Sequence, residues 1–206
     1  MKKFFISLCC LSAFFAVQAK QKPNIILIVA DDLGYSDLGG YGSEISTPHL
    51  DGLAKDGVAF QEFYTASVGA PSRASILTGL YPHQAGVGYF FGNLGPASYQ
   101  GYLNQSSLTL AEVLRSAGYT TLHAGSWGVG LNGQATALQR GFSHSFLAEN
   151  GGSYFDEHEV TYQLDGKPFT LADDSYYLTD LITDQAISFI HEGRSAKQQK
   201  PFFLYL

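Results

Sequence analysis

Cysteine is scarce in this 206-residue chain: Cys9 and Cys10 are the only two, and both lie in its first apolar run. Removal of that run would leave no thiol, hence no disulfide framework and no thiolate for a soft metal or a substrate. Basic residues are also few, 12 Lys and Arg against 18 Asp and Glu, for a net charge of −6. An acidic chain with no basic run lacks the electrostatic footprint of a nucleic-acid binder. Long hydrophobic runs are limited to residues 4–17, which follow Lys2 and Lys3 and precede Val17-Gln18-Ala19 and polar Lys20-Gln21-Lys22. That run is short for a stable membrane span, and its charged start and small-residue exit match an export signal. A buried N-terminal helix is the competing reading, and a lipid anchor lacks the usual small residue before either cysteine. The expectation is a signal over residues 1–19 and an exported product, periplasmic or extracellular, of charge −8 once Lys2 and Lys3 leave. About 190 residues remain, enough for one domain with its own core.

Asn24 precedes an unbroken apolar run over residues 25–30, the pattern of a parallel strand buried on both faces. A glycine-rich turn spans 34–42, and Thr47-Pro48 opens a short helix that places Leu50, Leu53 and Ala54 together and ends at Gly57. Residues 58–64 read as a second strand, and Pro71-Ser72-Arg73 as the start of a helix stopped by Gly79. Leu110, Val113, Leu114 and Ala117 recur at helical spacing before Gly118, and 119–124 reads as a strand. Residues 160–164 and 167–170 flank Asp165-Gly166 as a hairpin, 176–192 forms the longest helix, and 201–206 forms a buried strand. Ending on such a strand, the chain is expected to be part of a longer domain. Strands alternating with helices predict an α/β sandwich with a mainly parallel sheet, whose ligands sit beyond the strands' carboxyl ends.

Asp31 and Asp32 close the first strand. Two hard carboxylates there suit Ca²⁺, or Mg²⁺, better than a soft metal, although a solvated turn pair explains them equally well. Gly69-Ala70-Pro71-Ser72-Arg73 opens a helix, where free N–H groups and a guanidinium favour an anion; an ordinary capped helix with a solvated arginine is the plainer alternative.

Residues 24–42, with Asp31-Asp32-Leu33-Gly34-Tyr35, and Pro71-Ser72-Arg73-Ala74-Ser75-Ile76-Leu77-Thr78-Gly79 together resemble the sulfatase family. Tyr81-Pro82-His83, residues 110–119, Tyr177-Leu178-Thr179-Asp180 and 201–206 continue the likeness in the family's order. The resemblance implies an alkaline-phosphatase-like α/β/α sandwich, with residues 20–206 as the N-terminal part of a catalytic domain. It also implies hydrolysis of sulfate esters, in sulfated carbohydrates or aryl sulfates, with a divalent cation, usually Ca²⁺, held in part by Asp31 and Asp32. Arg73 would support the nucleophile and the sulfate.

Three positions depart from the family's pattern. The residue that the family oxidises to formylglycine stands two places before the motif proline and is Gly69, which has no Cβ to oxidise and no oxygen to attack with. Gly125-Ser126-Trp127-Gly128-Val129-Gly130 resembles the family's Gly-Lys-Trp-His-Leu-Gly, with Ser126 and Gly128 at the two sulfate-contact positions. The reading is therefore a sulfatase-like chain with catalysis lost. Its alternatives are a secreted binder of sulfated glycans and a weak hydrolase that recruits Ser67 or Thr65. His83 is a candidate near the active face, and Trp127 a candidate for stacking on a sugar ring. His49, His123, His144, His158 and His191 read as packing or surface residues, and Glu157-His158-Glu159 as a solvated charge cluster.

Overall fold

The last strand of the chain lies inside the sheet, not at its rim. The computed structural model describes residues 22–89, 92–149, 155, 160–171, 177–195 and 200–206. The expected signal and the charge cluster at 157–159 fall outside them. The strands are β1 (Ile25–Leu27), β2 (Thr120–Gly125), β3 (His144–Glu149), β4 (Thr161–Leu164), β5 (Lys167–Pro168) and β6 (Phe202–Tyr205). They form one sheet in the order β1-β6-β2-β3-β4-β5. The pairs β1·β6, β6·β2 and β2·β3 are parallel, and the hairpin side is antiparallel. The fold is α/β with a mixed, mainly parallel sheet, as the alternation of strand and helix patterns predicts.

Successive side chains of β6 divide the core into two layers. Phe203 and Tyr205 join Trp127, Phe142 and the inner residues of helix α2 (Gly69–Thr78), with Ala111 of α3 (Leu110–Ser116). Leu204 joins Leu122, Phe146 and the inner face of α4 (Leu178–Ser195) on the opposite side. Helices therefore cover both faces of the sheet. Leu178, Ala186 and Phe189 of α4 are buried, as their helical spacing requires.

Several sequence expectations need correction. β1 is three residues long, and one of its faces is uncovered: Ile25, Leu27 and Val29 pack on the core while Ile26 and Ile28 are 53% and 59% exposed, so the run 25–30 is not buried on both faces. Its apolar composition is what a strand covered on both faces would carry, but here one face meets no packed layer among the described residues. Residues 58–64 form no strand, and Val58, Phe60, Phe63 and Tyr64 project into solvent. Their β propensity finds no partner edge, and a lone strand gains no ladder bonds. Thr47 does not cap α1 (Pro48–Asp56): its hydroxyl accepts from the Gly39 amide and donates to Asp51, while Leu50 and Leu53 remain exposed. β3 was not anticipated, because His-Ser-Phe-Leu-Ala-Glu lacks the β-branched run that marked its neighbours.

The Asp165-Gly166 turn behaves as its sequence demands. Both residues have positive φ, 50° and 75°, as a two-residue hairpin loop of the primed type requires. Gly166→Ala is expected to cost about 1 kcal/mol or more, because alanine resists that conformation; urea unfolding of the variant against the parent measures it.

A second clasp holds the entry to α3. Thr109 and Glu112 form a reciprocal capping box. The Arg140 guanidinium donates to Glu112 Oε1 at 2.9 Å, to the Asn104 carbonyl at 3.1 Å and to the Ser107 carbonyl. Thr109 Oγ1 in turn donates to the Arg140 carbonyl at 2.7 Å. Gly141, at φ 100°, runs so close to Glu112 that a Cβ there would stand 2.5 Å from the Glu112 amide nitrogen.

Candidate active site

The carboxyl ends of β1, β6 and β2 lie side by side, and parallel register aligns Leu27 with Tyr205 and Tyr205 with His123. Beyond β1 the chain turns sharply at Asp32, φ 54°, so the two neighbouring aspartates do not continue the strand's alternation. α2 begins at Gly69, two residues earlier than the proline suggested, and its N-cap residue Val68 supplies no side-chain cap. Arg73, one turn into α2, crosses this space. Its guanidinium donates to Asp31 Oδ2 at 2.8 Å, and the arginine side chain is only 12% exposed against 55% for the aspartate.

Two glycines border that guanidinium. A Cβ built on Gly69 would meet Arg73 Nη1 at 2.9 Å, and one built on Gly128 would meet the same nitrogen at 3.0 Å. Gly128 has φ 63°, a conformation that side-chain-bearing residues seldom adopt, whereas Gly69 is an ordinary first-turn helix residue. The Gly128 amide donates to Glu149 Oε1 at 3.1 Å.

Tyr205 and His123 are both buried within the electrostatic reach of the arginine. Burial pushes the Tyr205 hydroxyl's pKa up to about 12; the nearby Arg73 opposes the rise and Asp31 adds to it. His123 is fully enclosed, stacked on Tyr205 at 5.8 Å and edge-on to Trp127 at 5.5 Å. Its Nδ1 lies 2.9 Å from Ser145 Oγ, while Nε2 has no hydrogen-bond partner of good geometry among the described residues. Burial lowers its pKa from the usual 6.5 to about 4; the Ser126 backbone opposes this and the Arg73 charge assists it.

The structure thus brings Asp31, Gly69, Arg73 and Gly128 together. Ser126 is exposed just past β2, and no hydrogen bond ties it to Arg73. Trp127 is a core residue: its ring is buried and its indole N–H donates to the Ala135 carbonyl at 2.7 Å, which leaves no face for a sugar. His83 lies edge-on to Tyr99 and lines a separate cleft of about 770 Å³ with Phe63, Tyr64 and Tyr81. Ser67 is exposed at φ 62°, its amide bonded to Thr65 Oγ1 at 3.2 Å. Sequence reasoning missed Tyr205, Glu149 and the engagement of His123. Tyr205 alone had a readable signal, a polar tip at the carboxyl end of a buried strand.

The sulfatase family model matches residues 23–206. The chain belongs to the sulfatase family. Among relatives of this sulfatase-family chain, the arylsulfatase of Klebsiella aerogenes is 35% identical over 200 residues, spanning 91% of this chain and 42% of the relative. Human arylsulfatase A is 47% identical over 144 residues, 68% of this chain and 27% of that protein. The crystal structure of Ps i-CgsB in complex with k-i-k-neocarrahexaose is similar with a TM-score of 0.77 and 32% identity, over 90% of this chain and 44% of that one. BT4656, solved with its substrate D-glucosamine-2-N,6-O-disulfate, gives a TM-score of 0.70 at 30% identity, over 90% of this chain and 34% of that one. The chain therefore spans less than half the length of these relatives.

Sulfatases typically bind Ca²⁺. Calcium takes six to eight oxygen ligands, whereas Asp31 and Asp32 offer two carboxylates, one of them engaged by Arg73. No group of three or more His, Cys, Asp or Glu that would hold an ion exists among the described residues. Asp31 and Asp32 would supply part of a calcium shell and not the whole of it.

Proposed function

We propose that this sulfatase-family protein is an exported relative of enzymes that act on aryl sulfates and sulfated glycans, and that its own hydrolytic centre is disabled. The observation that carries this reading is Gly69, the first residue of α2, whose missing Cβ would face Arg73 Nη1 at 2.9 Å. An ester-cleaving centre needs an oxygen or sulfur nucleophile at such a place, and glycine offers neither. Loss of a nucleophile has cost on the order of 10⁶ in rate in a serine protease, and loss of one preorganised donor about 10²–10³. Ser126 and Gly128, at the family's two sulfate-contact positions, carry no positive charge to replace what Arg73 spends on Asp31.

The same geometry speaks against the alternative readings. A binder of sulfated glycans would draw on a free guanidinium, and this one is neutralised. A hydrolase using Ser67 would need that exposed residue to reach Arg73, and its amide is tied to Thr65 instead. The full chain, incubated with 4-methylumbelliferyl sulfate in the presence of Ca²⁺, is expected to release no fluorophore above the buffer rate. Turnover that disappears in Arg73→Ala would overturn the reading.

A further inference from the structure

Just beyond Gly130 the chain doubles back through a two-residue turn, Asn132-Gly133. Leu131 and Gln134 close it by exchanging main-chain hydrogen bonds of 3.1 and 2.9 Å, as an isolated bridge outside the sheet. Both turn residues have positive φ, 50° and 75°, the conformation of a primed hairpin turn. Its returning arm is clamped. A Cβ at Gly130 would meet the Gln134 and Ala135 carbonyls at 2.9 and 3.0 Å, and the Ala135 carbonyl accepts the Trp127 indole N–H. Its tip is free. Asn132 and Gly133 are exposed, and a Cβ at Gly133 would meet nothing within 4 Å. No hydrogen bond to another described residue engages the Asn132 amide or the Gly133 N–H. Asn104 is the contrast: its amide donates to the Gln84 carbonyl at 2.6 Å and accepts from Ser106 and Ser107.

We propose that Asn132 is a site of spontaneous deamidation and isoaspartate formation, a modification that breaks this turn from within. The Gly133 N–H gives its proton to solvent base, and its nitrogen attacks Asn132 Cγ. The new N–C bond closes a five-membered succinimide, while the Cγ–Nδ2 bond breaks and the leaving nitrogen takes a proton from water to depart as ammonia. Water then adds to either ring carbonyl and leaves aspartate or isoaspartate at position 132. Glycine at 133 leaves the attacking nitrogen unshielded, and nucleophile and carbonyl share one dipeptide. The bridge must open for the nitrogen to reach Cγ, and two surface hydrogen bonds oppose that only weakly. The chemistry is local to the turn and needs no residue outside 131–134. Either product adds a negative charge at the rim of the cavity of about 280 Å³ that Asn132 lines with Trp127 and Glu149. Isoaspartate also carries the main chain through an extra methylene, so Leu131 and Gln134 fall out of register and the Ala135 carbonyl loses its hold on Trp127.

The experiment incubates the full chain in mildly alkaline buffer at physiological temperature and follows the tryptic peptide 116–140, in which Asn132 is the sole asparagine. That peptide is expected to gain the mass of an amide-to-acid exchange and to label with an isoaspartate-specific methyltransferase. Its rate in the folded chain should lie within about tenfold of that of the free synthetic peptide, because so small a turn opens readily. Asn132→Gly keeps a turn that glycine suits and has no side-chain amide. In that variant the peptide should stay unmodified and the Trp127 emission constant over the same period. A folded chain that reacts more slowly than the tenfold limit would overturn the proposal. So would an equal mass gain in Asn132→Gly, which would trace the reaction to Gln134 or Gln139.

Discussion

Arg140→Met should lower the unfolding free energy by about 3 kcal/mol or more, a large share of what a domain of this size holds in reserve. The guanidinium is 8% exposed and Glu112 21%, so removal of the arginine leaves a half-enclosed carboxylate without its counter-charge. It also strips the Asn104 and Ser107 carbonyls of their donor and loosens the loop that enters α3. Methionine keeps most of the apolar stem, so the loss reports on the polar clasp more than on packing. Adding Glu112→Gln should restore part of the deficit, because two groups that interact are not additive. Urea unfolding followed by the fluorescence of Trp127, the sole tryptophan, reads both variants.

Acidification from pH 6.5 to 5 should weaken the fold steeply, and His123 is the cause. Its ring is held neutral in the folded state, with a pKa near 4, while the unfolded chain binds a proton near 6.5. The unfolded state therefore takes up more protons throughout that interval, and stability falls as pH falls. The stabilisation is complete above the unfolded value and is lost progressively down to the folded one, about 3 kcal/mol across the whole window at 1.36 kcal/mol per pH unit. Glu112 acts lower down: burial raises its pKa, but Arg140 and the Thr109 hydrogen bonds together outweigh that and hold it below the usual 4.5, so its contribution fades only at more acid pH. His123→Gln should flatten the profile between pH 6.5 and 5. A profile of unchanged slope in that variant would assign the acid response elsewhere.

The elements that carry strong local signals were legible in the sequence. The strands β1 and β6, the glycine stop of α2 at Gly79, the helical spacing that ends at Gly118 and the Asp165-Gly166 turn were legible as elements, although the burial of β1 on both faces was not borne out. The aspartates, Gly69, Arg73 and Gly128 were singled out from motif likeness, and the fold brings four of those five positions to one place. What sequence could not convey was who neutralises whom. Arg73 was expected to serve a nucleophile and a sulfate, and it is bound to Asp31 instead, an outcome fixed by the approach of α2 to β1. Arg140 gave no sign at all, because its partners lie 28 to 36 residues away and contribute mostly backbone oxygens. Residues 58–64 misled for the opposite reason: their composition promises a strand, and strand formation depends on a neighbour.

The position of β6 sets a timetable for the chain. Among the described residues Ile25–Leu27 pairs with Phe203–Tyr205 alone, so β1 waits until that much later segment has been synthesised. At about 5–20 residues per second that delay is roughly ten to thirty-five seconds. Until then the nascent polypeptide carries an unsatisfied greasy stretch near its front, and a holding chaperone or passage through a translocation pore in extended form would keep it from associating with its neighbours.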